Sequence, residues 1–209
     1  KVLKFIAILL IIATLGFASC KKQEVESLPY YNYYAGINKN KVIGYLAEDG
    51  KSPYKVVVPD DYSKAEMYGA TEFSLWFEKS TGAELPVVKE SALENGEQYI
   101  ISVGKTKLLN RAAFDVNYSA LNSDGFIIKN KGTAIFINGA NERGTLYGVY
   151  DFLEKYLGIR YLTSDETFVP EVKTCVLYAT DIMEIPAFEY RNIFLYQINS
   201  YNVANNYVR

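Results

Sequence analysis

The sequence predicts an α+β domain: a mixed β-sheet with two helices packed on one face. Three observations carry this. β-branched apolar runs alternate with turn residues along most of the chain. Two segments, 62–80 and 146–157, place apolar residues at helical spacing. The elements follow in the order strand, helix, strands, hairpin, helix, which matches helices segregated to one side of a sheet.

The elements read as follows. Val42 to Leu46 is a strand, and Asp49-Gly50 is a hairpin signal before a second strand, Tyr54 to Val58. Pro59 has no N–H to give and stops the ladder. Asp60 and Asp61 are predicted to cap a helix over Tyr62 to Ser80, with Ala65, Tyr68, Gly69, Phe73, Trp76 and Phe77 on its apolar face. Gly82 ends it. Leu85–Val88 and Tyr99–Val103 are strands, and Gly104 marks the exit of the second. Lys105 to Asn122 is less regular and carries one helical turn or two. Phe126–Lys129 and Thr133–Asn138 form a hairpin around Asn130-Lys131-Gly132. Asn141 is placed to cap the next helix, with Glu142 in its first turn. Leu146, Val149, Tyr150, Leu153 and Leu157 form that helix's stripe, Gly148 lets it lie close to the sheet, and Gly158 ends it. β-prone segments follow at Ile159–Leu162, Phe168–Val169 and Val172–Ala179.

Composition narrows the chemistry. The 209 residues are 49% hydrophobic, enough for one ordinary core or one domain with an appendage. Lys and Arg number 22 against 24 Asp and Glu, a net charge of −2, so electrostatics give nucleic acid no reason to bind. There is no histidine, which removes Ser-His-Asp triads and His-based zinc sites. No cofactor or metal site is expected. Acid–base chemistry in this chain would fall to carboxylates, Lys or Tyr.

The first twenty residues read as an export address. Lys1 and Lys4 precede an apolar run, Phe5 to Leu15, too short to span a bilayer and fitting the hydrophobic part of a signal peptide. It ends in Phe17-Ala18-Ser19-Cys20, small residues before a cysteine as in a bacterial lipobox. Phe17 stands where such signals usually have Leu. The expectation is a signal peptide over 1–19 and acylation of Cys20, giving a cell-envelope protein held in a membrane by lipid, facing the periplasm or the surface. Residues 20–41 are then a tether containing a Tyr cluster (Tyr30, Tyr31, Tyr33, Tyr34), and 42–184 the domain. Cys175, inside an apolar run, is read as a buried inert thiol.

Candidate chemical motifs are few. Gly139-Ala-Asn-Glu-Arg-Gly144 between a strand and a helix has the backbone order of a P-loop. It lacks the Lys and hydroxyl that hold phosphate and Mg²⁺, with Thr145 and Leu146 in those places. The glycines are therefore read as turn and packing residues. Asp60-Asp61 and Asp165-Glu166 are paired acids, but neighbours in sequence do not set two carboxyls about 5–10 Å apart across a sugar. The sequence shows no complete catalytic constellation.

Several phrases together resemble a known family. They are Tyr54-Lys-Val-Val-Val-Pro59, Glu78-Lys-Ser-Thr-Gly-Ala-Glu-Leu-Pro86, Ile100-Ile-Ser-Val-Gly104, Asp124-Gly-Phe-Ile-Ile128, Ile135-Phe-Ile-Asn-Gly139, Arg143-Gly-Thr-Leu-Tyr-Gly-Val-Tyr-Asp-Phe-Leu-Glu154, Leu157-Gly-Ile-Arg-Tyr161 and Pro186-Ala-Phe-Glu-Tyr-Arg191. Over roughly Val42 to Arg191 the chain resembles the N-terminal domain of bacterial glycoside hydrolases of the α-glucuronidase and β-hexosaminidase type, including a group of Bacteroidetes lipoproteins. Arg-Gly-Thr-Leu-Tyr-Gly is the most specific phrase. The resemblance implies a non-catalytic accessory domain before a (β/α)8 barrel that holds the active site. Residues 185–209 would start that barrel, with Phe188–Leu195 its first strand and the rest lying beyond Arg209.

The resemblance also implies that Arg191 hydrogen-bonds substrate hydroxyls. Asn192 stands where the family usually has Gly, and a structural salt bridge is the alternative role. No catalytic residue is carried over. The functional expectation is the front domain of an envelope enzyme that degrades polysaccharides or glycans, with an oligo- or polysaccharide as partner through the barrel. A surface glycan-binding lipoprotein without catalysis, and a purely structural envelope protein, are the competing readings.

Overall fold

The computed structural model describes residues 33–163 and 165–187. Strands form where β-branched residues run together. They are β1 (Ile37–Ala47), β2 (Lys55–Val58), β3 (Val87–Lys89), β4 (Ile100–Val103), β5 (Phe126–Lys131), β6 (Ala134–Gly139), β7 (Arg160–Tyr161), β8 (Thr167–Phe168) and β9 (Cys175–Glu184). The helices are α1 (Lys64–Thr81), α2 (Lys107–Ala112) and α3 (Glu142–Leu157). Seven strands make one mixed sheet in the order β1-β9-β5-β6-β4-β2-β3, and β7 and β8 pair separately. The half containing β3, β2, β4 and β6 is parallel. The β5, β9 and β1 half is antiparallel throughout.

The parallel strands are continuous apolar runs because both of their faces are covered. Val56, Val58, Ile101, Val103, Ile135 and Ile137 face α1 and α3, where Phe73, Phe77, Val149, Phe152 and Leu153 complete the main core. Val57, Ile100, Ile127 and Phe136 face the other way, against Leu109 and Ala112 of α2 and Leu121 of a 3-10 turn at Tyr118–Leu121. The two long helices therefore share one face, as the sequence predicts. The irregular stretch 105–122 is a thin cover for the opposite face.

Three local expectations need correction. The cap of α1 is Ser63, not Asp60 or Asp61. Its Oγ accepts from the Glu66 N–H at 3.2 Å, and the Glu66 carboxylate accepts from the Ser63 N–H at 2.8 Å. This reciprocal box satisfies two end donors at once. The Asp49-Gly50 turn exists, with both residues at positive φ and a Glu48–Lys51 bridge, but it does not open a hairpin. Pro53 brings no N–H to continue that ladder. The buried β2 instead pairs in parallel with β3 and β4. The first strand begins at Ile37, inside the stretch read as tether. Between the Asn38–Ala179 and Val42–Tyr178 pairs, β1 carries the surplus residues Lys39, Asn40 and Lys41 as a bulge. Its partner is the last strand, β9. A bulged edge bearing lysines resists pairing with other chains.

Cys175 is buried, and burial pushes its thiol up to about 12. In a Cys20→Ser variant, Cys175 should resist a thiol reagent near pH 8 and label completely in denaturant. Native labelling at the denatured rate would contradict the packing of β9.

Candidate functional site

Because β2, β4 and β6 run parallel, their carboxyl ends lie at one end of the sheet. Both long helices start there, α1 after β2 and α3 after β6. In open α/β sheets this is the usual place for a ligand. A cleft of about 340 Å³ occupies it, with Asp61, Glu66, Lys105, Asn138, Asn141 and Glu142 among its walls.

The cleft's polar groups are largely committed to the fold. Glu66 accepts from the Ser63 N–H through one oxygen and from the Lys105 N–H at 3.1 Å through the other. Gly104 has φ +90°, and a Cβ there would sit 2.1 Å from the Glu66 carboxylate, so only glycine admits this arrangement.

The glycine loop behaves likewise. The Gly139 N–H donates to Thr145 Oγ1 at 2.9 Å, Ala140 N–H to the Gly125 carbonyl at 3.0 Å, and Gly144 N–H to Asn141 Oδ1 at 2.9 Å. A P-loop aims such amides at phosphate; here they are consumed internally. Arg143 pairs with Asp124 at 2.6 Å, and a Cβ on Gly144 would meet the Gly125 carbonyl at 2.5 Å. One on Gly148 would meet Ile137 at 2.8 Å. The Arg-Gly-Thr-Leu-Tyr-Gly phrase is thus a packing signature, fastening α3 to β5 and β6.

The acidic pairs are not brought together as a catalytic couple. Asp60 accepts from the Ser91 N–H at 3.1 Å and pairs with Lys107 at 3.2 Å, clamping two loops. These contacts hold its carboxyl below the ordinary range, the Ser91 hydrogen bonds first and Lys107 after them. Asp165 and Glu166 lie exposed in the β7–β8 turn, where their N–H groups reach Thr163 Oγ1. Arg191 and Cys20 lie outside the described residues. Among the described residues no group of three or more Asp, Glu or Cys is placed to hold a metal ion, and no helix is long and apolar enough to cross a membrane.

Sequence reading missed two clusters. Glu72 of α1 is buried and accepts from Trp76 Nε1 at 2.9 Å and from the Tyr150 hydroxyl of α3 at 3.1 Å. Burial, and then the Glu72 charge, push the Tyr150 phenol far above its ordinary value. Lys155 of α3 is the second. Its side chain is 2% exposed and pairs with Asp151 at 2.9 Å and with Glu184, at the end of β9, at 3.3 Å. Burial alone would depress its pKa; Asp151 and Glu184 outweigh burial and raise it. The i,i+4 spacing of Asp151 and Lys155 was the one visible signal.

A family model describing the N-terminus of glycosyl hydrolase family 67 matches residues 34–152, more than half of the chain. The chain belongs to this family. The matched span of this family 67 N-terminal domain runs from β1 through most of α3 and includes the packing signature. Among solved structures, a family GH115 4-O-methyl-α-glucuronidase with specificity for decorated arabinogalactans shares the fold. Its TM-score is 0.52 at 17% identity, over 70% of this chain and 19% of that one. A GH20 β-N-acetylhexosaminidase from Streptomyces coelicolor and a chitobiase from Flavobacterium johnsoniae align with TM-scores of 0.44 each. Their identities are 13% and 15%, over 66% and 75% of this chain. The chain spans only 19% to 23% of the length of these three proteins. No match was found among curated proteins.

Proposed function

We propose that this domain is the non-catalytic front part of a longer, lipid-anchored cell-envelope enzyme that hydrolyses glycosidic bonds in polysaccharides. The observation that carries the reading is the family 67 N-terminal match over residues 34–152. Two others support it. The cleft where an α/β sheet would bind its ligand has its amides and Glu66 committed to the fold. The family's most specific phrase is spent on packing helix to sheet. Hydrolysis then belongs to a separate barrel, Arg191 is the residue of this chain assigned to hydrogen-bond substrate hydroxyls in it, and the lipid belongs on Cys20.

The test is to sequence the gene beyond Arg209 and express the product. The expected result is an open frame of some 200 or more further residues with alternating strands and helices. That product should release sugar from a polysaccharide. A stop codon just after Arg209 would overturn the enzyme reading and leave a glycan-binding or structural lipoprotein. Labelled palmitate should enter the protein and be lost in Cys20→Ser; incorporation unchanged by that substitution would overturn the anchor.

A further inference from the structure

Four times in the sequence an aspartate or asparagine is followed by glycine: Asp49-Gly50, Asn95-Gly96, Asp124-Gly125 and Asn138-Gly139. Such a step is able to rearrange on its own. The glycine amide nitrogen attacks the side-chain carbonyl carbon, and glycine, with no Cβ, leaves that approach open. The amide must lose its proton to attack, so an N–H already committed to a hydrogen bond is held back. By this criterion three of the four steps are closed. The Gly50 N–H donates to the Lys173 carbonyl at 3.1 Å, the Gly125 N–H to the Leu121 carbonyl at 2.9 Å, and the Gly139 N–H to Thr145 Oγ1 at 2.9 Å. Asp124 is further held by Arg143. Asn138 is buried, and its Nδ2 donates to the Gly139 carbonyl at 3.1 Å.

The remaining step is open. We propose that Asn95 is a deamidation site of the folded protein, converting to a mixture of aspartate and isoaspartate. Asn95 and Gly96 are exposed, in a turn closed by the Glu97 N–H on the Glu94 carbonyl at 3.3 Å. Among the described residues neither the Gly96 N–H nor the Asn95 side-chain amide has a hydrogen-bond partner. A Cβ built on Gly96 meets nothing within 4 Å. In the reaction the Gly96 nitrogen gives up its proton and bonds to Asn95 Cγ. The Cγ–Nδ2 bond breaks, and the departing nitrogen takes a proton and leaves as ammonia. Water then opens the cyclic imide at either carbonyl. One opening gives aspartate; the other gives isoaspartate, whose main chain is one methylene longer. Both products add a negative charge to a loop that already carries Glu90, Glu94 and Glu97. The change stays local, because the chain is fixed again before β4 begins. Glu97 pairs with Lys55 at 2.7 Å, Thr133 Oγ1 donates to the Gln98 carbonyl at 3.0 Å, and the Lys55 N–H donates to the Tyr99 carbonyl at 3.1 Å.

The test is to age the purified protein in mildly alkaline buffer, native and in denaturant, and to map its peptides by mass spectrometry. Deamidation shows as a gain of about 1 Da, an amide replaced by an acid. In the native protein the gain should appear at position 95 at least about tenfold faster than at position 138, whose buried step must first open. In denaturant the two Asn-Gly steps should react at similar rates. Aged native protein should also accept labelled methyl groups from S-adenosylmethionine through an isoaspartate methyltransferase. Asn95→Gln should lose most of that acceptance, because its longer side chain closes a six-membered ring far more slowly. Asn95 is exposed and makes no side-chain hydrogen bond among the described residues, so this variant should fold normally. Equal native rates at the two positions, a position 95 that reacts only in denaturant, or undiminished methyl acceptance in Asn95→Gln would each overturn the proposal. The readout involves neither sugar nor cleavage, so its outcome is separate from that of the enzyme reading.

Discussion

Replacing Gly139 with alanine is expected to destabilise the domain by about 3 kcal/mol or more. Gly139 ends β6, and the chain turns at once into α3. A Cβ there would lie 2.2 Å from the Thr145 nitrogen, 2.4 Å from the Gly144 carbonyl carbon and 2.7 Å from the Asn141 oxygen. All three are backbone atoms, so no rotamer change makes room. The first turn of α3 would have to move away from β6. That movement would break the Gly139–Thr145 hydrogen bond and loosen the Asn141 cap. Gly132 is the control. It has φ +61° and open space around its missing Cβ, so alanine there costs only the left-handed strain, about 1 kcal/mol. Urea denaturation of both variants checks this, read as the shift in midpoint at constant slope. Equal midpoints would mean that the glycine loop does not fasten helix to sheet.

The same loop shows how far the sequence could be read. Its glycines and the following stripe Leu146, Val149, Tyr150 and Leu153 announce a strand–turn–helix unit, because helical spacing and turn chemistry are local. The missing P-loop lysine excluded phosphate chemistry. That the Ala140 amide is taken by the Gly125 carbonyl, and the Arg143 side chain by Asp124, depends instead on residues well back along the chain. Strand pairing was less legible. The Asp49-Gly50 turn looks like a hairpin because its four residues do form one bridge, and only the sheet reveals that β2 pairs elsewhere. Nothing near Ile37 says that its partner is β9. The Ser63 cap was hidden behind two aspartates that cap well in principle.

Replacing Lys155 with methionine should cost about 2–3 kcal/mol at neutral pH. This is below the roughly 3–5 kcal/mol of breaking a fully buried ion pair. The discount follows from exposure: the Asp151 side chain is 22% and that of Glu184 39% accessible, so water recovers part of what the ammonium supplied. The loss should also depend on pH in a definite direction. In the native protein burial raises the Asp151 pKa, and the hydrogen bond and charge of Lys155 pull it back only in part. Removing the ammonium raises it further. A carboxyl whose folded pKa exceeds its unfolded value of about 4 favours folding in its protonated form, and that support is lost as pH rises through the folded pKa. The deficit of Lys155→Met should therefore be largest near pH 7 and shrink as pH falls through the carboxylate range. Adding Asp151→Leu should restore part of the stability near neutrality, because the stranded charge is gone and both side chains become apolar. Denaturant midpoints for the two variants at pH 4 and pH 7 decide it. A deficit independent of pH and unrelieved by Asp151→Leu would mean that Lys155 contributes only the packing of its aliphatic stem. The cluster would then have no electrostatic part in tying α3 to the end of β9.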